Sequence, residues 1–318
     1  MIGHVPVLYE EVLQNLNPQP GEIFVDGTIG SAGHSLGILG ALGERGLLVG
    51  LDVDESILAL AKQRLRSRFP SPSYRLVVSP FDTLQQILAE LGLPKADGIL
   101  LDVGVHSLHL DTAERGFSFQ RDGPLDMRFD RGAQLTAEAV VNTYGAEELK
   151  RIFREFGDEP FAGAIARRIE RERTGRPLKT TRDLAELIER SVPRRKWPRG
   201  IHPATRVFQA LRIHVNDELG RLERGLEQAI AALAPGGRLA VITYHSGEHR
   251  RVRHAFREAS RACKCPPRQP ICTCGGLQSY ELLTRKALTP SPREIADNPR
   301  SRSAQLRVLR RLSEPRRP

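Results

Sequence analysis

The chain has 318 residues, of which 40% are hydrophobic and 27% are charged, and its formal net charge is +10. This composition suits one large folded domain, or one domain with an insertion, and excludes a disordered polyelectrolyte. The positive balance favours a polyanionic partner, with nucleic acid ahead of an anionic membrane. Neither a secretory signal nor an apolar run of the roughly 20 residues that span a bilayer is evident. We therefore expect a cytoplasmic protein with no membrane partner.

The first third of the chain alternates short apolar runs with helical patterns. We predict strands at Glu22–Asp26, Leu47–Asp52, Arg75–Val78 and Gly98–Asp102, separated by helices at His34–Leu42, Asp54–Phe69 and Thr83–Leu91. Such alternation is typical of right-handed βαβ units and a parallel sheet. The predicted fold class is therefore α/β.

The alternation stops in the middle of the chain. From about Asp111 to Thr205 no buried strand is evident, and we predict helices at Ala146–Phe156, Phe161–Arg173 and Thr181–Ser191. One long helix is predicted at Val207–Leu233, followed by a strand at Arg238–Tyr244, a helix at Gly247–Arg261 and strands at Ser279–Thr284 and Ala304–Arg310. The simplest organisation is a discontinuous α/β domain, residues 1–110 and 206–318, interrupted by an all-helical domain at 111–205.

A glycine-rich loop, Asp26-Gly-Thr-Ile-Gly-Ser-Ala-Gly-His34, joins the first predicted strand to the first predicted helix. Glycines there let the backbone turn sharply and approach a nucleotide-like ligand. The second strand ends at Asp52, where an acidic side chain can bind ribose hydroxyl groups. Because Asp26 would repel the pyrophosphate of a dinucleotide but suits the ammonium and sulfonium groups of S-adenosylmethionine, the loop favours the methyl donor. An ordinary strand–helix turn is the alternative.

Three more side chains follow strands that end at the same predicted edge, where ligands bind in parallel α/β folds. Phe81 is interpreted as a platform for an adenine ring or, equally, as a core aromatic. Asp102 ends a central apolar strand, which favours a functional role over a structural one. His245 follows the fifth strand and either lines a pocket for the target base or is a structural residue.

Three sequence blocks resemble the small-subunit ribosomal RNA methyltransferase H family, also known as MraW. They are the loop Asp26–Ser35, the stretch Ala113–Asp130 and the stretch His202–Leu219. The segments His4–Leu8 and Asn298–Ser303 also fit, so the resemblance covers nearly the whole chain. It implies a class I S-adenosylmethionine-dependent methyltransferase, Rossmann-like with a mostly parallel sheet and an inserted helical domain. It further implies methyl transfer to N4 of a cytidine (expected position 1402) in the decoding region of 16S rRNA.

The resemblance also implies cofactor contacts, at Ala32, Gly33, His34, Asp52, Phe81, Asp102 and His109. Three features depart from the family pattern. Ala32 replaces a glycine, and because alanine tolerates positive φ poorly, we expect a slightly different loop there. His109 stands where glutamine is usual. The segment Tyr244–Arg250 reads Tyr-His-Ser-Gly-Glu-His-Arg, where the family tends to Phe-His-Ser-Leu-Glu-Asp-Arg.

We predict Asp102 and His245 as catalytic residues. The N4 amine of cytosine is a poor nucleophile, and its methylation needs an acceptor for the amine proton. Asp102, or a carbonyl group in Val103–Val105, is the candidate acceptor. In the alternative, Asp102 only orients the methyl donor.

The segment Pro160–Arg206 carries 13 Lys and Arg against 5 Asp and Glu. Within it, Arg194-Arg-Lys-Trp197 combines cations with an aromatic ring, which is typical of a surface that contacts phosphates and stacks a base. We predict that Arg194, Arg195, Lys196 and Trp197 bind RNA. A solvated helix face and a packed tryptophan are the alternatives.

The four cysteines, Cys263, Cys265, Cys272 and Cys274, form two C-x-C pairs close together in the chain. Four thiolates could hold a structural zinc ion, and a redox pair or free thiols are the alternatives. We assign no metal to the catalytic site.

The sequence therefore predicts an rRNA cytosine-N4 methyltransferase that uses S-adenosylmethionine and acts on 16S rRNA in the small ribosomal subunit; a homodimer is left open. The first alternative is a methyltransferase of the same fold that acts on another RNA or DNA base. The second is a non-catalytic, RNA-binding factor of ribosome assembly.

Overall fold

The computed structural model describes residues 6–69, 73–197, 200–263, 265–266, 269, 273 and 276–317. The chain divides into two compact units. The first, here called the sheet unit, comprises the residues up to Gly104 and those from Gly220 onward. The second, the helical unit, comprises Val105–Leu219.

Within the described residues, seven strands form one sheet. They are β1 (Ile23–Asp26), β2 (Leu47–Asp52), β3 (Tyr74–Val78), β4 (Ala96–Asp102), β5 (Leu233–Thr243), β6 (Gln278–Leu282) and β7 (Gln305–Arg316). β1 and β4 are buried along most of their length, since they lie in the middle of the sheet. Strands covered on both faces read as continuous apolar runs, which explains why the sequence revealed them.

The helices are α1 (Tyr9–Leu16), α2 (Gly33–Leu42), α3 (Glu55–Arg66), α4 (Leu84–Glu90), α5 (Ser107–Asp111), α6 (Ala137–Thr143), α7 (Ala146–Gly157), α8 (Ala162–Arg173), α9 (Thr181–Ser191), α10 (Thr205–Val215), α11 (Glu218–Ala232), α12 (Ser246–Ala259) and α13 (Pro292–Asp297). Local capping fixes several starts. The Asp54 carboxylate accepts hydrogen bonds from the first turn of α3, and Thr180 and Asp183 form a capping box at α9. In the described part of the chain, no helix is both long enough and apolar enough to cross a bilayer.

The strand order of the sheet is β3-β2-β1-β4-β5-β7-β6. β1 to β5 run parallel, whereas β7 runs antiparallel to both of its neighbours. In this register Asp26 of β1 lies beside Leu100 of β4, and Asp102 of β4 lies beside Ile242 of β5. The carboxyl ends of the central strands therefore meet along one edge of the sheet, where ligands bind in folds of this type.

Apolar side chains cover both faces of the sheet. Phe24 and Leu100 pack in one cluster with Ile38 of α2, and Leu101 packs in the other with Phe256 of α12. Successive strand residues point to opposite faces, so neighbouring residues supply both clusters. Burying one such side chain contributes about 1.5–3 kcal/mol. This two-sided core fixes the strand ends, and with them the residues that follow.

The helical unit has its own core. α7, α8, α9 and α10 contribute Phe153, Ile165, Ile188 and Phe208, all of them buried. The apolar residues of each helix recur at helical spacing and point inward. The three helices predicted at Ala146–Phe156, Phe161–Arg173 and Thr181–Ser191 correspond to α7, α8 and α9.

The stretch Ala113–Asp130 folds as a compact loop of the helical unit. Gly116 has φ 69°, and a Cβ on it would lie 2.0 Å from the carbonyl oxygen of Pro124. A guanidinium nitrogen of Arg115 donates to the carbonyl oxygens of Arg128 and Phe129 at 2.8 and 2.9 Å. The Arg115 side chain thus binds the backbone of the same sequence block.

The prediction of a single helix at Val207–Leu233 is wrong. The structure has two helices, α10 and α11, with a break at Asn216 and Asp217, where Asp217 has φ 48°. The Asn216 side chain donates to the carbonyl oxygen of Met127 at 2.7 Å and accepts from the N–H of Phe129 at 2.7 Å. These long-range hydrogen bonds compete with continued helix, and helical periodicity alone does not reveal them.

The unit boundaries also differ from those predicted. The helical unit extends from Val105 to Leu219, whereas the sequence suggested 111–205. α10 accounts for most of the difference, because Val207 and Leu211 are fully buried in the core of the helical unit. Its side chains therefore belong with α7 to α9 and not with the sheet.

Candidate functional site

Two aspartates at the carboxyl-terminal edge of the sheet share one polar residue, Thr28. The backbone N–H of Asp102, at the end of β4, donates to the Thr28 hydroxyl at 2.6 Å. The N–H of Thr28 donates to Oδ1 of Asp26, at the end of β1, at 3.3 Å. The loop after β1 therefore holds both carboxyl groups in one local network.

Asp26 is almost completely buried, at 2% exposure. Its Oδ2 accepts a hydrogen bond from the Ser35 hydroxyl at 2.6 Å. Burial raises the pKa of Asp26 to about 6, although the Ser35 hydrogen bond and the nearby His34 lower it. Ionising Asp26 in the free protein is therefore costly.

The loop between β1 and α2 turns through left-handed residues. Gly30 has φ 53° and Ala32 has φ 63°. A left-handed alanine costs about 1–2 kcal/mol, and Ala32 is held there by complete burial. The alanine thus keeps the positive φ that glycine adopts more easily. Gly33, the first residue of α2, has no room for a side chain, because its Cβ would lie 2.5 Å from Cγ of Pro6.

Asp52, at the end of β2, joins two backbone turns. Its Oδ2 accepts from the N–H of Gly30 at 3.1 Å, and its Oδ1 accepts from the N–H of Asp54 at 2.9 Å. Burial raises the pKa of Asp52 to about 6, against the lowering effect of these hydrogen bonds. Each carboxylate oxygen has a second lone pair, so Asp52 can also accept from ligand hydroxyl groups.

Asp102 has contacts at both carboxylate oxygens. Oδ1 accepts a hydrogen bond from the Tyr244 hydroxyl at 2.9 Å, and Oδ2 lies 3.8 Å from Nδ1 of His34. Burial raises the pKa of Asp102 to about 7; the Tyr244 hydrogen bond lowers it and the charge of Glu248 raises it. The side chain is 25% exposed, so solvent or a ligand can reach it. Asp102 therefore titrates near neutral pH.

His34, the second residue of α2, is a neutral ring in this environment. Its Nε2 lies 3.0 Å from the carbonyl oxygen of Val7, which can only accept, so Nε2 carries the proton. Burial lowers the pKa of His34, while the charge of Asp26 raises it. The other nitrogen, Nδ1, consequently presents a lone pair towards Asp102.

Among the described residues, no Lys or Arg forms an ion pair with Asp26, Asp52 or Asp102. Three carboxyl groups that are buried or partly buried and lack a Lys or Arg partner are an unusual arrangement for a folded core. Raised pKa values of this kind are typical of sites that bind or react with a ligand. The edge suits a ligand that carries positive charge and hydroxyl groups.

Phe81 lies beside the glycine-rich loop. It begins a short 3-10 turn after β3 and is half-buried. A Cβ on Gly225 of α11 would lie 2.3 Å from Cδ2 of Phe81, and a Cβ on Gly27 would lie 3.0 Å from the Cβ of Phe81. Part of the ring therefore packs on α11, close to the loop that the sequence connects with the cofactor.

His245 lies at the start of α12. Its side chain accepts a hydrogen bond from the third residue of the helix, Glu248, whose carboxylate accepts from the N–H of His245 at 3.2 Å. Nε2 of His245 lies 3.1 Å from Oε1 of Glu248. These contacts match the structural alternative for His245, and its catalytic role stays a prediction.

His109 lies in α5 of the helical unit and is 5% exposed. Its ring stacks on Phe117 and Phe129, with centroids 5.2 and 5.3 Å away. The ring is thus part of an aromatic cluster of its own unit. A cofactor contact at His109 stays a prediction from the resemblance.

Arg194, Arg195 and Lys196 form a short 3-10 turn of the helical unit, and all three are exposed. Trp197 differs, because its Nε1–H donates to the carbonyl oxygen of Val192 at 3.0 Å and its ring packs against the core. The Arg194 guanidinium lies 5.6 Å from the centre of this ring. The three cations are available to solvent, whereas the tryptophan takes part in packing.

The zinc prediction falls partly outside the described residues, since Cys272 and Cys274 are not among them. Cys263 is half-buried and Cys265 is buried.

Thr28, Ser35 and Tyr244 also belong to this edge, although their place in the sequence alone indicates no role for them. Serine and threonine are frequent in such loops and give no distinctive pattern. For Tyr244 a signal exists, because it lies in the segment Tyr244–Arg250, which departs from the pattern that the resemblance implies. Its pairing with Asp102 still required the structure.

A sheet ordered β3-β2-β1-β4-β5-β7-β6, with β7 reversed and acidic residues ending β1, β2 and β4, has the topology of class I S-adenosylmethionine-dependent methyltransferases. The predicted fold class is therefore confirmed. Comparison with known proteins identifies the family: the pattern of the MraW methylase family matches residues 1–312. The chain belongs to the MraW methylase family, as its sequence blocks predicted.

Relatives match along nearly their whole length. "Ribosomal RNA small subunit methyltransferase H" of Syntrophotalea carbinolica is 55% identical over 309 residues, covering 97% of this chain and 98% of that protein. The protein of the same name from Geobacter sulfurreducens is 47% identical over 310 residues, covering 98% and 99%. A solved rRNA methylase from Streptococcus thermophilus matches with a TM-score of 0.43 at 10% identity, over 98% of this chain and 99% of that one.

Proposed function

We propose that this protein uses S-adenosylmethionine to methylate N4 of a cytidine in the decoding region of 16S rRNA. The observation that carries the proposal is the set of desolvated carboxyl groups at the ends of β1, β2 and β4, without a cationic partner among the described residues. Membership of the MraW methylase family and the name of the relatives support the rRNA substrate. Ribosomal subunits assemble in the cytoplasm, so the proposal also implies a cytoplasmic enzyme.

The residues at this edge fit the methyl donor. When bound, S-adenosylmethionine supplies a methyl group on a positively charged sulfur. Asp52 would accept hydrogen bonds from the ribose hydroxyl groups, and Asp26 and Asp102 would offset the positive charges. Ala32, Gly33, His34 and Phe81 would complete the donor site, and a contact at His109 is proposed from the family resemblance alone.

Asp102 is the residue proposed to act on the target amine. Its pKa, raised to about 7, lets it accept a hydrogen bond from the N4 amine and hold part of the proton's charge. A positioned acceptor of this kind contributes about 10²–10⁴-fold to the rate. In the alternative role, Asp102 orients the donor through its ammonium group.

The helical unit is proposed to bind rRNA. Arg194, Arg195 and Lys196 are exposed, in a segment with an excess of positive charge. Extruding a base from folded RNA costs a few kcal/mol, and contacts to phosphates can offset this cost. Trp197 would support the turn that carries the three cations.

The decisive experiment incubates the purified protein with methyl-labelled S-adenosylmethionine and small ribosomal subunits that lack native modification, and then maps the labelled nucleotide. Label on N4 of one decoding-region cytidine, abolished by Asp52→Ala, is the expected result. Label on another nucleotide would retain the enzyme class and reject the proposed target. If neither subunits nor naked rRNA are labelled and calorimetry detects no donor binding, the non-catalytic assembly factor becomes the better explanation.

Asp102→Asn distinguishes the two roles of Asp102. Retained donor affinity with lost turnover supports the acceptor role. Loss of donor affinity supports the orienting role. The measurements are the Kd for S-adenosylmethionine and the single-turnover rate on subunits.

The RNA surface is tested by replacing Arg194, Arg195 and Lys196 together with alanine. We expect weaker binding to a single-stranded rRNA fragment and a salt dependence that is shallower by about two, because each of three phosphate contacts to a single strand contributes about 0.7 to the slope. A matched control replaces Arg131, Arg151 and Arg154, three exposed arginines of the helical unit that lie outside Pro160–Arg206. If both triple variants weaken RNA binding equally, binding depends only on the total positive charge and not on the turn Arg194–Lys196.

A further inference from the structure

Tyr244 hydrogen-bonds to Asp102, although 142 positions separate them in the chain. β4 and β5 are parallel neighbours, with Asp102 beside Ile242, so the residue two positions after Ile242 reaches the end of β4. The Tyr244 hydroxyl donates to Oδ1 of Asp102 at 2.9 Å. Phenylalanine at this position would have no such donor.

The Tyr244 ring and backbone are themselves held firmly. A Cβ on Gly104 would lie 3.2 Å from Cδ2 of Tyr244, so the ring lies close against the backbone that follows β4. The N–H of Tyr244 donates to Oε2 of Glu248 at 2.7 Å, and Glu248 is 2% exposed. Packing of the ring and the backbone hydrogen bond therefore hold the Tyr244 hydroxyl in position beside Asp102.

This contact makes the two oxygens of Asp102 unequal. Oδ1 receives the Tyr244 hydroxyl, whereas Oδ2 lies 3.8 Å from Nδ1 of His34, a nitrogen without a proton in the neutral ring. No donor therefore reaches Oδ2 from His34. Among the described residues no hydrogen bond to Oδ2 is found, and the side chain is 25% exposed, which leaves this oxygen for a ligand.

We propose that Tyr244 is a positioning residue that fixes the Asp102 carboxylate through Oδ1, favours its ionised form over the acid, and presents Oδ2 to the ligand. This inference rests on the proposed function for the identity of that ligand, the methyl donor. Tyr244 acts through Asp102 and is not itself a catalytic residue.

The negative charges near Asp102 disfavour its ionised form. The hydrogen bond from the Tyr244 hydroxyl acts in the opposite direction. The titratable groups that face this pair from the surrounding elements are Asp26, His34, Glu248 and Glu294. Burial and the negative charge of Asp102 raise the pKa of Tyr244 well above its ordinary value, so the phenol stays protonated. A hydrogen bond from a neutral donor favours the carboxylate over the carboxylic acid.

The first test measures the unfolding free energy of Tyr244→Phe and of the unmodified protein at pH 5 and pH 8, without any ligand. The lost bond stabilises the ionised form of Asp102, so Tyr244→Phe should lose more stability at pH 8 than at pH 5. Tyr280→Phe is the control, since its hydroxyl donates to the carbonyl oxygen of Ile230 at 3.2 Å, a group that does not titrate. An equal loss at both pH values for Tyr244→Phe would overturn the proposal.

The second test measures the Kd for S-adenosylmethionine by calorimetry from pH 5.5 to 8.5. Tyr244→Phe should move the acid limb of the binding profile to higher pH and weaken binding about tenfold near pH 7. Tyr280→Phe should leave the profile unchanged. A weakening by one constant factor at every pH would show packing alone and reject the positioning role. If the unmodified protein binds no donor, the proposed function fails, and the ligand-free test still decides the role of Tyr244.

Discussion

Asp26 and Asp126 both lie in blocks that carry the family resemblance, yet their surroundings differ in kind. Asp126 forms two hydrogen bonds to the guanidinium of Arg128, both at 2.8 Å, and its pKa is lowered, because these contacts outweigh the effect of burial. Asp26 has only neutral partners in Ser35 and Thr28, and burial raises its pKa to about 6. In the loop of the helical unit, Asp126 is paired with an arginine of the same loop. At the sheet edge, carboxyl groups have no such pair within the part of the chain that the structure describes, and a ligand can supply the positive charge.

This difference separates structural from functional reasons for an acidic motif. A paired aspartate stabilises the folded chain, and its removal should cost stability. A desolvated, unpaired aspartate costs stability, and its removal should cost binding. The four predictions below test this division, beginning with the largest expected effect.

Asp52→Ala should weaken binding of S-adenosylmethionine by about 100-fold or more, since two hydrogen bonds to a charged acceptor contribute about 3 kcal/mol together. Calorimetric titration measures the change. The matched control is Glu44→Ala, an exposed acid of the same unit, which should bind normally. An Asp52→Ala variant that binds the donor normally would remove Asp52 from the site.

Arg115→Ala should destabilise the helical unit by about 2 kcal/mol, because the partly buried carbonyl groups of Arg128 and Phe129 lose their donor. Urea unfolding measures the loss, and donor affinity should change little once folded protein is compared. Arg131→Ala, an exposed neighbour, serves as the control. A stable Arg115→Ala variant would contradict the structural reading of this block.

Donor affinity should fall about tenfold between pH 8 and pH 6, because Asp102, with a pKa of about 7, takes up a proton over this range. The sign for stability is opposite. Since the folded pKa values of Asp26, Asp52 and Asp102 are raised, their contribution to stability is present at low pH and lost as the pH rises through about 6 to 7. Thermal shifts with and without donor at both pH values check the two trends. A donor-induced shift that grows on acidification would refute this assignment of charge.

Ala32→Gly should change the free energy of unfolding by less than about 1 kcal/mol. Removing the left-handed alanine gains about 1–2 kcal/mol, but the lost methyl group and the freer unfolded chain cost a similar amount. Thermal unfolding measures the difference, and a loss above that size would mean that packing of the Ala32 side chain dominates the loop.

The α/β alternation and several helices follow from local sequence. α9 begins and ends where its apolar spacing predicts, at Thr181–Ser191, because a capping box and helical periodicity both lie within the segment. The carboxylates ending β1, β2 and β4 could likewise be named, since each follows a buried apolar run. The break between α10 and α11 could not, because Asn216 is bonded to a loop almost ninety positions away.

The sequence by itself determined which strands exist, which carboxylates end them and to which family the chain belongs, because these depend on local patterns and on long matched blocks. Only the tertiary structure decided that α10 belongs to the helical unit, that Asp126 is paired while Asp26 is not, and that Tyr244 bonds to Asp102. Those facts depend on the parallel register of β4 and β5 and on which side chains exclude water. Strand register and the exclusion of water both depend on residues that are far apart in the chain, so local sequence does not reveal them.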